Sequence, residues 1–205
     1  MTEEERYIYQ YRQVIRVATR DIYQDDLPIH LRYLTVDADL IGAIILDELE
    51  RRDVWDTVQE TGARFFDLCE GSLERVGHWL LHKTFKPLTI ISLGPAQMKP
   101  FVVEELIAEG LIAKPPSWEE DKTDIIVKWL LNPQKVPELV SARLEQIVRH
   151  WAKGNIDISD RPEILATLYS IGLTGKAGIH ANPQANTRGK RIAQTLRQQV
   201  RTMIT

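Results

Sequence analysis

Apolar residues along this 205-residue chain recur mostly at helical rather than alternating spacing. Tyr7, Tyr11, Val14, Ile15, Ala18 and Ile22 form one stripe behind the capping-box pattern Thr2-x-x-Glu5 and predict a helix through about residue 23. Asp25-Asp26-Leu27-Pro28 ends it. Asp37 is a suitable N-cap for a second helix through Glu50, on which Leu40, Ile41, Ile44 and Ile45 share a face. Phe65, Phe66, Leu68 and Cys69, then Leu73, Val76, Trp79 and Leu80, form apolar clusters near turn signals at Gly62 and Gly71. Leu88 to Ile91 is the best strand candidate, running into a turn at Gly94-Pro95. Pro100 suits the first turn of a helix reaching Leu111, and Ser117-x-x-Glu120 reads as a capping box for the next. Val136 to Lys153 predicts a long helix with Gly154 at its C-cap. Ser159 caps the following one, with Pro162 in its first turn and Gly172 after its end. A polar loop, Leu173 to Asn186, precedes a last helix from Thr187 to Ile204 that carries Arg188, Lys190, Arg191, Arg197 and Arg201.

This pattern predicts a mainly α domain with at most a small β element. Lys114-Pro-Pro-Ser117 is too short a connector to separate two cores. The expected division is an N-terminal helical extension, 1–35, packed on a main domain, 36–205.

Composition narrows the function classes. A net charge of -3 gives no global reason to expect nucleic acid binding, so the basic last helix is expected to be a solvated face. One cysteine, Cys69, excludes an internal disulfide framework and a cysteine-rich zinc site. His78 and His82 stand at i, i+4 but no third ligand accompanies them, so neither metal nor cofactor is expected. No run is long enough to span a membrane. The start, Met-Thr-Glu-Glu-Glu-Arg, is acidic and no apolar stretch follows, so no signal peptide is expected.

The informative anomaly is Glu48. It follows Ile44 by four residues and Ile45 by three, which places a carboxylate within the apolar stripe, while Asp47 lies at the stripe's edge and Glu50 opposite. Buried carboxylates need a partner. Glu48 is either a desolvated acid kept ready to donate a proton or a core residue bonded to an arginine or a backbone amide.

Three segments in order bear on the choice: Ala43-Ile44-Ile45-Leu46-Asp47-Glu48, Gly94-Pro95-Ala96-Gln97-Met98-Lys99-Pro100, and Ala166-Thr167-Leu168-Tyr169-Ser170-Ile171-Gly172. Together they resemble the lysozyme-like lytic transglycosylases and goose-type lysozymes, whose pattern is Ala-Ile-Ile-x-x-Glu, then Gly-x-x-Gln-x-x-Pro, then Ala-x-x-Tyr-Asn-x-Gly. The resemblance spans roughly residues 36 to 193. It implies an α+β lysozyme-like fold with the small β element near an active-site cleft.

It also implies a peptidoglycan-cleaving enzyme acting on the β-1,4 bond between N-acetylmuramic acid and N-acetylglucosamine. Most glycosidases use two carboxyl groups; lytic transglycosylases use one Glu, here Glu48. It protonates the leaving oxygen, then accepts the proton of the C6 hydroxyl, giving a 1,6-anhydro product. Gly94, Gln97, Tyr169, Ser170 and Asn182 are the implied substrate-binding residues, with His180, Gln184 and Asn186 as further groove candidates. Such an enzyme acts on the cell wall, in the periplasm or outside the cell, after non-classical export or phage- or injection-type delivery, for which a protein partner would serve.

The chain departs from that pattern at three places. Leu49 stands where the family usually has Ser, Ser170 where it often has Asn, and the interval from Glu48 to Gly94 is long and rich in carboxylates. An inverting muramidase with Asp67 or Glu70 as second acid is therefore an alternative, and a lysozyme-like module that binds glycan or protein without cleaving is another. The enzymatic reading requires Glu48, Gln97 and Tyr169 to converge on one cleft. It fails if Glu48 faces a closed core bonded to an arginine.

Overall fold

A computed structural model of the chain describes residues 1–19, 21–22, 34–52, 92–175 and 177–205. They are mainly helical. Two compact units are present, Met1–Glu50 with Pro137–Thr205, and Arg51–Val136. The units divide the chain at Glu50 and Val136 rather than at residue 35, and the first helices belong to the same unit as the last. The expected strand at Leu88 to Ile91, both phenylalanine and tryptophan clusters, His78, His82, Asp67 and Glu70 lie outside the described residues.

The first unit opens with α1 (Glu3–Gln10), whose capping box forms as the sequence predicts: Glu5 N donates to Thr2 Oγ1 at 3.1 Å and Thr2 N to Glu5 Oε2 at 2.7 Å. The helix does not run to residue 23. Tyr11 leaves helical geometry, α2 (Arg12–Val17) is short, and Asp21–Ile22 (β1) instead pairs antiparallel with Leu34–Thr35 (β2). Two residues per strand place this element at the edge of the helical class.

At the centre lies α3 (Ala38–Glu50). Its residues from Asp39 to Glu48 are buried without interruption. The expected single apolar stripe is thus a helix covered on all sides, packed against α1 and α2 and against the end of the chain. Three of the ten buried residues, Asp39, Asp47 and Glu48, are acidic, and a helix so enclosed holds them only if each finds a cation or donor.

After the second unit the chain forms α6 (Val136–Ala152), α7 (Pro162–Ile171), α8 (Thr187–Arg191), a π-helical turn (Ile192–Leu196) and α9 (Arg197–Ile204); the last three run on from one another. Pro162 starts α7 as predicted, but Arg161 is the N-cap residue, while Ser159 donates to Asp157 Oδ1 at 2.7 Å. Gly172 ends α7 at φ 104°, and past α6 the left-handed residue is Asn155 (φ 58°), not Gly154. A cap needs the left-handed conformation, and Asn tolerates it nearly as Gly does.

The described part of the second unit holds α4 (Pro100–Ala108), with Pro100 in its first turn, and α5 (Trp118–Leu131), packed on each other. Ser117 occupies the N-cap of α5 without a side-chain bond, so the expected capping box does not form. Among the described residues, no helix is long and apolar enough to cross a membrane.

Candidate functional site

The end of α3 and the start of the C-terminal helix build a network of carboxylates and guanidinium groups. Asp47 is fully enclosed. Arg188 Nε donates to its Oδ2 and Arg191 Nη1 to its Oδ1, both at 2.6 Å. Arg191 also pairs with Glu50. Arg188 then reaches the next residue: its Nη2 lies 2.7 Å from Glu48 Oε1, an ion contact without hydrogen-bond alignment. Glu48 itself is 9% exposed, at the margin between core and solvent.

The electrostatics follow this geometry. Burial alone would lower the pKa of Arg188; the charge of Glu48 and the bond and charge of Asp47 outweigh it and hold Arg188 above its ordinary value. The bond to Glu50 likewise raises Arg191. Tyr169, on α7, is raised above the ordinary tyrosine range, first by burial and then by the charge of Glu48, while Arg143 and Arg188 pull the other way. Glu48, Tyr169, Arg143 and Arg188 are therefore close enough to sense one another, although they come from three separate helices and the C-terminal one.

Local packing fixes that arrangement. Asn186 caps α8, its Oδ1 accepting from Gly189 N at 2.7 Å, and its own N–H donates to Thr167 Oγ1 at 3.1 Å. Thr167 Oγ1 donates to Glu163 O at 2.7 Å. The contact is so close that a Cβ on Gly189 would stand 2.0 Å from Thr167 Oγ1 and 2.4 Å from Glu163 O. Only glycine permits it, and it delivers Arg188 to the end of α3.

The other expected site residues are placed as follows. Ser170 bonds within its own helix, Oγ to Ala166 O at 3.0 Å. Asn182, Gln184 and His180 are exposed, with Gln184 Nε2 donating to Asn182 O at 3.4 Å and the His180 ring edge-on to Trp151. Asn186 serves as the cap already described. Gly94 and Gln97 belong to the second unit. There Leu93 and Met98 pair across a tight turn, Gln97 adopts φ 45°, and Gln97 Nε2 donates to Gly94 O at 3.2 Å. What approaches Gly94 is backbone: a Cβ there would stand 1.7 Å from Leu130 O.

Sequence reasoning did not single out Arg188, Arg143 or Asp47 as site residues. Arg143 had a usable signal, a cation amid Leu139, Ala142, Leu144 and Ile147 on a predicted helix. Arg188 had none beyond its place in a basic segment, because its partner Asp47 lies 141 positions away. Among the described residues, no group of three or more His, Cys, Asp or Glu is disposed to hold a metal ion. Comparison with protein-family models, with curated proteins and with solved structures gives no significant match.

Proposed function

We propose that the chain is a peptidoglycan-cleaving glycosidase acting on the bond between N-acetylmuramic acid and N-acetylglucosamine, as a lytic transglycosylase with Glu48 as acid and then base. The observation that supports it is the junction at the end of α3, where Glu48 meets the solvent margin and Tyr169 lies within reach of its charge. Cleavage needs a proton on the leaving oxygen and a negative charge near the developing oxocarbenium ion. A single carboxyl at the margin of a core can supply the first as acid and the second once it has ionised. Delivery to the cell wall by export or an injection apparatus belongs to the same proposal, as does a second acid at Asp67 or Glu70 if the products are reducing.

One observation favours a second reading. The arginine contact that counts against Glu48 as an acid is present: Arg188 lies 2.7 Å from the carboxyl oxygen and favours its ionised form. On that reading the chain is a lysozyme-like module that binds glycan or a protein partner, and Glu48 is part of its scaffold.

The test is to incubate the wild type and Glu48→Gln with purified peptidoglycan and analyse released fragments by mass spectrometry. Fragments lighter than the reducing muropeptides by one water, absent with Glu48→Gln, are the expected result. Reducing fragments lost in the same variant mean a hydrolase. No fragments from the wild type overturn the enzymatic reading in favour of the binding module.

A further inference from the structure

On the reading of Glu48 as acid and base, we infer that Arg188 is a positioning residue for it: anchored on Asp47, it holds the Glu48 carboxylate in place. The geometry separates the two halves of this role. Nε makes a hydrogen bond to Asp47 Oδ2 at 2.6 Å, and Asp47 is closed off from solvent and held from its other oxygen by Arg191. Nη2 touches Glu48 at 2.7 Å but is not aligned for a hydrogen bond. Both halves are removed from solvent: Asp47 is fully enclosed, and the Arg188 Nη2 that faces Glu48 is itself buried.

The consequence for catalysis has a definite sign. An acid must start with its proton, and a neighbouring guanidinium opposes that; once the proton has been delivered, the same guanidinium stabilises the carboxylate that must next act as base. Arg188 thus sets the pH range in which Glu48 starts the reaction. Among the described residues, other charged or titratable groups around it are Asp47 and Glu50 on α3, Arg191 on α8, Arg143 on α6 and Tyr169 on α7. Arg188 is in direct contact with Glu48 and lies on the element locked by Gly189.

The experiment compares the wild type, Arg188→Met and Arg188→Lys in pH profiles of fragment release from purified peptidoglycan. In parallel, the Glu48 carboxyl is titrated by carbon-13 NMR, assigned by difference from Glu48→Gln. Arg188→Met is expected to extend activity to higher pH, moving the alkaline limb and the carboxyl titration up together by about one pH unit or more. Arg188→Lys keeps the charge but lacks the fork that serves two carboxylates at once, so a smaller move in the same direction is expected. If Arg188→Met does not fold, Arg188→Lys decides alone. Unchanged profiles and titrations in the folded variants overturn the role of Arg188 while leaving Glu48 as the acid. An inactive wild type whose carboxyl titration still responds to Arg188 overturns the catalytic reading instead, and with it this role.

Discussion

The two ends of the seam between α3 and the C-terminal helix use the same chemistry differently. At the start of α3, one carboxylate takes two arginines: Asp39 accepts from Arg197 Nε at 2.7 Å and Arg201 Nε at 2.8 Å, with Asp37 pairing Arg197 from outside. At the far end Asp47 likewise takes two arginines, Arg188 and Arg191, and each reaches a second carboxylate, Glu48 or Glu50, as Arg197 reaches Asp37. The wiring is the same and the burial differs: at the first end Asp37 and Arg201 are half exposed. The far end is centred on an acid with no solvent at all, and the Arg188 nitrogen that faces the neighbouring Glu48 is buried with it. A half-exposed pair is screened by salt; an enclosed one depends on its partners alone. The lesson extends to the basic last helix, whose arginines at 188, 191, 197 and 201 turn towards α3 rather than forming the expected solvated face.

The largest effect tests this contrast directly. Asp47→Ala removes the enclosed partner that Arg188 and Arg191 share and is expected to cost about 3 kcal/mol in denaturant unfolding. Next comes Gly189→Ala, which forces α8 away from Thr167 and Glu163 without touching a charge; about 1–3 kcal/mol is expected. A loss in that range, with the Glu48 carboxyl titration displaced, would show that packing rather than pairing sets the position of Arg188.

Asp39→Ala is expected to cost about 1–2 kcal/mol, between exposed and buried pairs, and less in high salt. A cost equal to that of Asp47→Ala would erase the difference between the two ends. The smallest effect is alkaline. The pKa of Tyr169 is raised in the folded chain, so its contribution is complete below the ordinary tyrosine value of 10.0 and is lost as pH rises beyond it. Tyr169→Phe should flatten the loss of stability above that pH in denaturant unfolding.

Much of the helical framework is legible locally, because caps and turns act within a few residues. The Thr2 box, Pro100, Pro162 and Gly172 all fall where their backbone chemistry requires. Two local signals were outcompeted. Ser117 matches a capping pattern yet makes no cap bond, and Ser159 turns to Asp157 instead of α7, since a short polar side chain bonds whichever neighbour the chain brings first. The stripe of Tyr7, Tyr11, Val14 and Ile15 predicts one helix, but Tyr11 departs from helical geometry and divides it. The residues that close on the core are Ile8 and Ile15, so of the stripe Ile15 is buried while Tyr7, Tyr11 and Val14 are half-buried.

The sequence by itself determined that this chain is mainly helical, that α3 carries an acid among Ile44 and Ile45, and that this acid needs a partner once buried. Only the tertiary structure decided which partner. Asp47 and Arg188 are 141 positions apart, and nothing in local spacing distinguishes Arg188 from Lys190 or Arg191. Their contact exists because Asn186 caps α8 and Gly189 lets it close on α7, and because a buried carboxylate stabilises whichever cation that docking delivers.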